Sequence, residues 1–331
     1  MIIHIACLRT LVGGTIMKSV AISIGDLNGI GIQLALENHE ALCHMVTPLY
    51  CIDKMMLTQA SKKLNLTIPS DFHTVENISP YFDIEAGVVS KESGAYAYAS
   101  FVKAVELARI REVDALCTLP IHKKAWELAG VSYKGHTDAL RDFFDAEAIM
   151  MLGCEKMYVA LFTEHIPLKE VASSINEKDL TRFLIDFYNT AKPKSTVAVL
   201  GLNPHAGDDG VLGDEEQVIH KAIQNTEKIL KQKYPSLFTL HSSLFTVPMV
   251  PDVAFTPNVR KNYTHYVAMY HDQGLAPLKA LYFDEGINVS LNLPILRTSV
   301  DHGTAFDIAY KGVKLNNLSY INAIKYIASS H

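Results

Sequence analysis

The stretch MYVALFTEHIPLKEVASSINEKDLTRFLIDFYNTAKPKSTVAVLGLNPH, residues 157–205, decides the fold. It opens and closes on apolar runs too short for helices and rich in β-branched or aromatic residues, so MYVALFTEH and TVAVLGLNPH are expected as buried strands. Between them, NEKDLTRFLIDFYNTA (176–191) sets Leu180, Phe183, Leu184 and Phe187 at i, i+3, i+4 and i+7, the apolar stripe of a helix lying against a sheet. Short strands alternating with amphipathic helices mark an α/β protein with mostly parallel sheets.

The same alternation continues outward. Towards the N-terminus, KSVAISIG (18–25) leads into a helical IQLALENHEAL (32–42), SGAYAYASFVKAVELARI (93–110) is a long helix, and VDALCTLP (113–120) precedes a helical KKAWELAG. Towards the C-terminus, a helix opens at Asp214 with Gln217 three residues on, a capping-box pattern, and runs through VIHKAIQNTEKILKQ. YVAMYHD (266–272) is a third buried strand.

A chain of 331 residues that is 49% hydrophobic and 20% charged suits one large or two medium domains and excludes disorder and collagen-like architecture. Its formal charge of −5 gives no basic field for nucleic acid or an anionic membrane, so an anionic ligand has to be met by a local cluster. No apolar run is long enough for a membrane helix, and a soluble, cytoplasmic protein is expected. Cys7, Cys43, Cys51, Cys117 and Cys154 are odd in number and lack CxxC spacing, which reads as reduced thiols. The opening MIIHIACLRTLVGGTIM has neither a basic start nor a cleavage site, so residues 1–16 are expected as an extension ahead of a usual start at Met17.

In open parallel sheets, ligands bind beyond the carboxyl ends of the strands. His165, His205 and His271 each follow one of the three buried strands of the second half. Three imidazoles meeting at one point suit a catalytic metal with positions left open for substrate oxygen, although each alone also reads as a loop histidine beside a turn. Asp272 and Gln273 are placed to orient His271. His4, His39, His44, His73, His220 and His241 lie in helices or surface-like segments and read as ordinary.

GDLNGIG (25–31) fits neither standard phosphate-loop pattern and reads as a tight strand-to-helix turn. In GHTD (135–138), Thr137 is expected to cap a helix starting at DALRDFF, whose free N–H groups favour an anion. The most chemically loaded segment is 270–310, where Lys279, Asn288 and Arg297 recur every nine residues. Lysine offers a point charge and arginine a fork of donors, devices suited to phosphate or carboxylate.

With GHT (135–137), EHIPL (164–168), LNPHAG (202–207), YHDQGL (270–275) and RTSVDHGTAFD (297–307) in this order, the chain from about Lys18 onward resembles the 4-hydroxythreonine-4-phosphate dehydrogenase family of pyridoxal phosphate biosynthesis. The resemblance implies His165, His205 and His271 as ligands of one divalent metal (zinc, magnesium or cobalt), and His136, Thr137, Lys279, Asn288 and Arg297 as contacts of a phosphorylated substrate. It also implies His302, Gly303, Thr304 and Asp307 in a loop for NAD or NADP, because HGTAFDIAYKG is similar to the adenosine-binding loop of isopropylmalate dehydrogenase. The implied fold has two α/β/α domains with an active-site cleft between them, as in isocitrate and isopropylmalate dehydrogenases. The first is expected over 17–132 and 301–331, the second over 133–300 with the metal and substrate residues.

A homodimer with a shared active site, to which the second subunit can give His271, is implied as well. The reaction implied is NAD(P)-dependent oxidation of 4-phosphohydroxy-L-threonine at C3, then decarboxylation to 3-amino-2-oxopropyl phosphate. Asp272, Lys279 and Asp252 are the candidate proton-transfer groups by type and location. The first loop departs from the family's GEPAGIGPE-like sequence, and HAG is followed by Asp208 and Asp209 rather than an acidic-glycine pair. Two rival readings are a related dehydrogenase acting on a 4-phosphorylated sugar acid and a metal-dependent aldolase or hydrolase without nicotinamide.

Overall fold

The computed structural model describes residues 11–12, 15–240 and 243–330. Most of the expected extension, residues 1–16, and also His4 and His241, lie outside these. The strands β1 (Leu11–Val12) and β2 (Thr15–Ile16) pair antiparallel. The remaining chain forms two compact units, residues 1–146 with 284–331 and residues 147–283.

In the first unit, β3 (Ser19–Ser23), α1 (Gly31–Cys43), β4 (Thr47–Cys51), α2 (Lys54–Leu64), α3 (Lys91–Arg109), β5 (Ala115–Thr118), α4 (Lys123–Leu128) and α5 (His136–Phe144) follow in order. The strands β3 (SVAIS) and β4 (TPLYC) are buried along their whole length, as strands covered on both faces should be. Helix α3 starts at Ser90, whose hydroxyl oxygen accepts the Ser93 N–H at 3.1 Å. It packs Ala97, Phe101 and Ala104 into a core with Ala21, Leu49, Leu116 and Trp126, joined by Ala139 and Leu140 of α5.

The domain limits differ from the expected 132/133 and 300/301 for a physical reason. Helix α5 is part of this core, with the His136 ring packed on Phe101 and Trp126. From the C-terminal part, β10 (Ile287–Leu291) and β11 (Leu296–Val300) form an antiparallel hairpin, and β11 then pairs parallel with β5. The strand order of the unit is β4-β3-β5-β11-β10. His136, Thr137, Asn288 and Arg297, expected as substrate contacts, therefore belong to the first unit, not the second. The last helix, α13 (Leu318–Ser329), packs on β11, where the Thr298 hydroxyl donates to the Ala323 carbonyl at 3.2 Å.

In the second unit, β6 (Ile149–Cys154) and β7 (Met157–Leu161) make a tight hairpin. Its glycine is required: Gly153 has φ +143°, and a Cβ there would sit 2.0 Å from the Met157 carbonyl oxygen. Then come α6 (Leu168–Ser174), α7 (Glu177–Ala191), β8 (Ala198–Val199), a tight 3-10 segment Pro204–Gly210, α8 (Glu215–Lys233), the one-turn helices α9 (Leu237–Leu240), α10 (Pro251–Ala254) and α11 (Pro257–Arg260), β9 (His265–Ala268) and α12 (His271–Tyr282). Strands β7, β9 and β8 are parallel neighbours in the order β6-β7-β9-β8. All three strands expected after residue 156 are present, with TVAVLGLNPH contributing only two paired residues and flanking bridges to Phe245 and Met249.

Helix α7 bears out its apolar stripe. Leu180, Leu184 and Phe187 are buried, and Phe183 meets Phe162 edge-on at 5.5 Å. Helix α8 has no capping box, because Asp214 makes no side-chain cap and the acidic groups of the first turn are used elsewhere.

Candidate active site

In the second unit, His165, His271 and His205 follow the carboxyl ends of β7, β9 and β8, three parallel strands that are neighbours in the order β7-β9-β8. His165 and His271 come together, their ring centroids 5.6 Å apart. His271 is the first residue of α12, and its Nδ1 lies 3.1 Å from Asp272 Oδ1. A carboxylate on one ring nitrogen fixes the tautomer and leaves Nε2 free to bind a metal. Asp272 is thus placed to orient the His271 ring.

His205 is held in an unusual way. His205, Ala206, Asp208 and Asp209 all have φ between +46° and +55°. Non-glycine residues in that region cost about 1–2 kcal/mol each, so something must hold them there. The Glu216 carboxylate does so, accepting the N–H groups of Leu202 and Asn203 at 2.8 and 2.7 Å, and Glu215 accepts from the Asn203 amide at 2.7 Å. Neither glutamate was singled out from sequence. The available signal was their place in the first turn of α8, ten residues or so past the histidine.

His165 and His205 are exposed and His271 is partly so, which suits ligands that must be reached by a cation. Three imidazoles, one beside a carboxylate, are the residue types of a catalytic metal site with open positions, but only His165 and His271 are brought together, and among the described residues the three do not converge to within 4.8 Å of one another. Lys279 lies on α12 two turns beyond His271, about 12 Å along the axis at 1.5 Å per residue. Its ammonium stands 5.8 Å from the centre of the Phe283 ring. Asp252, the third candidate for proton transfer, lies in the one-turn helix α10.

The first unit contains a different kind of site. Alternation along β11 sends Thr298 towards α13, so Arg297 faces the layer of α3, α4 and α5. Arg297 is 2% exposed, and its guanidinium donates to Ser290 Oγ at 3.0 Å and Thr118 Oγ1 at 2.6 Å. Its Nε has no partner, and among the described residues no carboxylate pairs with it. Burial lowers the guanidinium to a pKa of about 10. The imidazole of His136 is neutral: burial first, then the Arg297 charge, hold it well below its ordinary pKa. Its Nε2 also lacks a partner, as does Oδ1 of Asn288, which shares the strand face with Ser290.

An unpaired buried cation costs several kcal/mol, and unsatisfied buried polar atoms add to that. A polyanionic ligand would relieve all of it. Thr118 and Ser290 were missed in the sequence; their signal was alternation on the strands flanking Arg297. Thr137 does not cap α5. The helix starts two residues earlier than expected, at His136, with extended Gly135 at the cap position and Thr137 buried in the first turn.

The expected cofactor loop is also in the first unit. It packs on GDLNGIG: Ile30 N–H donates to the Thr304 carbonyl at 3.1 Å, and a Cβ on Gly29 would lie 2.8 Å from that same oxygen. The Phe306 ring stacks on His122 at 4.9 Å. His302 is half-buried with an unpartnered Nε2, Gly303 and Asp307 are exposed, and nothing lies within 4 Å of where a Gly303 Cβ would be. The orphaned His302 nitrogen and the open space over Gly303 fit a bound cofactor. Within the GDLNGIG turn itself is Asp26, which sequence reasoning passed over. It is buried, accepts from Asn28 N–H at 3.0 Å and Ser93 Oγ at 3.2 Å, and is raised by burial to a pKa of about 6.

The chain is similar to known proteins over most of its length. Residues 44–327 match the family model described as pyridoxal phosphate biosynthetic protein PdxA. The chain is 58% identical to 4-hydroxythreonine-4-phosphate dehydrogenase of Sulfurimonas denitrificans, over 92% of this chain and 95% of that one. It is 50% identical to the enzyme of the same name from Campylobacter fetus, over 94% and 97%. Among solved structures, 4-hydroxythreonine-4-phosphate dehydrogenase of Klebsiella pneumoniae superposes with a TM-score of 0.76 at 30% identity, over 95% of this chain and 99% of that one.

Proposed function

Since the chain belongs to the PdxA family of pyridoxal phosphate biosynthetic proteins, we propose that it oxidises 4-phosphohydroxy-L-threonine at C3 with NAD or NADP and releases 3-amino-2-oxopropyl phosphate after decarboxylation. The observation that carries the substrate class is the buried, unpaired Arg297 with its orphaned neighbours His136 and Asn288. The site is built for a group of concentrated negative charge.

In this reading, Arg297 donates to the substrate's phosphate or carboxylate through Nε while Ser290 and Thr118 keep the fork in place. His136, neutral, adds a hydrogen bond without adding charge, and Asn288 offers its side-chain carbonyl to a substrate hydroxyl or ammonium. Lys279 supplies further positive charge. His165, His205 and His271 are the residues that would hold one divalent ion, with Asp272 orienting His271 and Glu216 holding the His205 loop. When bound, the ion would polarise the oxygen at C3 and the nicotinamide would accept the hydride.

His302, Gly303 and Thr304 form the loop on which the nicotinamide cofactor rests, with exposed Asp307 at its edge. The proton leaving the C3 hydroxyl is assigned to a carboxylate, Asp272 or Asp252, directly or through a water, since Lys279 as an ammonium has no lone pair to accept it. The family likeness supports a cytoplasmic homodimer with a shared site. No described helix is long and apolar enough to cross a membrane.

The test is steady-state formation of NAD(P)H from 4-phosphohydroxy-L-threonine and from its analogue with hydroxyl in place of the C2 amino group. The amino substrate should have the higher kcat/KM. A preference for the hydroxy acid reassigns the enzyme to phosphorylated sugar acids, and turnover without NAD(P)H removes it from the dehydrogenases.

A further inference from the structure

His39 reads as an ordinary helix histidine in the sequence, yet the first unit surrounds it with ligand chemistry unrelated to the residues above. Helix α1 places His39 and Cys43 one turn apart on one face. Cys43 Sγ lies 3.4 Å from His39 Nε2. On the other side, Asp71 Oδ1 lies 3.2 Å from the same nitrogen. The donor atoms of the three residues all fall within 4.8 Å of one another, the one set of this kind among the described residues.

These separations match a known coordination shape. With zinc bonds of about 2.3 Å to sulfur and about 2.0–2.1 Å to nitrogen and oxygen, tetrahedral donors stand roughly 3.3 to 3.5 Å apart. The other nitrogen of the ring, Nδ1, is 2.9 Å from the Tyr50 hydroxyl, a partner that can hold the ring proton on Nδ1 when Nε2 binds an ion. Asp71 is not a loose surface group. The next residue, Phe72, stacks on Tyr50 with ring centres 3.7 Å apart, and Tyr50 N–H donates to the His73 carbonyl at 2.9 Å. His39 is 2% exposed while Asp71 is 65% exposed, so the site is rigid on the inside and open to solvent on the outside.

We propose that His39, Cys43 and Asp71 form a second divalent-metal site, selective for a thiophilic ion of the zinc class, with its fourth position open to water. One thiolate, one imidazole and one carboxylate favour zinc or cobalt over magnesium. Bound there, the ion ties the turn at Asp71 to α1 and so braces the outer strand β4 from the side. The site does not depend on the histidine trio, and its chemistry distinguishes the two: only this one has a sulfur ligand.

The test is titration of the metal-stripped full chain with cobalt(II), followed by absorbance. Wild type should develop the near-ultraviolet charge-transfer band of a cobalt thiolate, saturating at one ion per chain, and should keep it in His205→Ala. Cys43→Ser should lose the band while retaining the wild-type circular dichroism and dehydrogenase activity. Asp71→Asn, on the surface and harmless to folding, should weaken the ion by roughly 10-fold or more. Absence of the band in wild type, or an equal band in Cys43→Ser, overturns the site, and unchanged affinity in Asp71→Asn overturns the three-ligand arrangement.

Discussion

The Arg297 pocket and the histidine strand ends solve opposite problems. In the first unit a charge is buried and its neighbours are left short of partners, so the protein carries a standing electrostatic cost that only a ligand removes. In the second unit the histidines at the strand ends are exposed or partly so and carry no such desolvation cost, and the strain is in the backbone instead, in the run of positive φ angles around His205. In the proposed reading, anion recognition is stored as desolvation, and metal recognition as loop geometry. The two should therefore respond differently to substitution.

The largest effect is expected at the strand ends. His271→Ala or His205→Ala should lower kcat on the order of 10³-fold or more, because several kcal/mol of transition-state stabilisation leave with the ion, while the unfolding midpoint changes little. Metal analysis and thermal melts of the same preparations check this. At Arg297 the pattern should reverse. Arg297→Met should raise the substrate KM roughly 10²-fold with the cofactor KM unchanged, and yet raise the thermal midpoint, since an apolar side chain of similar length removes the unpaired buried charge. A variant that is both weaker in binding and less stable would break the comparison.

A smaller effect is expected one layer out. Glu216→Gln keeps its size but weakens the charged hydrogen bonds to Leu202 and Asn203, so metal affinity and kcat should fall together, by roughly 10-fold. Equilibrium titration with the ion, alongside kinetics, shows whether both move.

The last effect is on stability, through pH, and leaves turnover alone. Burial raises Asp26 from 3.8 to a pKa of about 6 in the folded chain, so the folded state holds this proton more tightly than the unfolded one. Its contribution is full below about pH 4 and is lost as pH rises through about 6, amounting to up to about 3 kcal/mol. In Asp26→Asn that part of the decline should vanish from a series of thermal melts between pH 4 and 8. An unchanged slope would mean that Asp26 is ionised in the folded protein throughout.

The difference between the units also explains what could be read in the chain. The strands and the stripe of α7 were legible because apolar periodicity reports burial directly, and the three histidines because strand ends can be located once strands are. The domain limits were not. Nothing local in GHTD or in the β10–β11 hairpin shows that they pack with the first core, a matter of parallel pairing to β5 and of Phe101 and Trp126 far along the chain. Caps failed for a related reason. Glu215 and Glu216 are acidic groups where a helix start wants them, but the LNPHAG loop takes both, and Thr137 falls one residue inside the helix. The roles of Thr118 and Ser290 depend on which strand lies beside β11, which alternation alone does not specify.

One measurement addresses the central claim most directly: NAD(P)H formation from 4-phosphohydroxy-L-threonine by wild-type protein before chelation, after removal of metal, and after zinc, magnesium or cobalt is restored. The account predicts turnover that disappears with the metal and returns with at least one of the three ions. Full turnover by the metal-stripped chain, or none under any of these conditions, would contradict it.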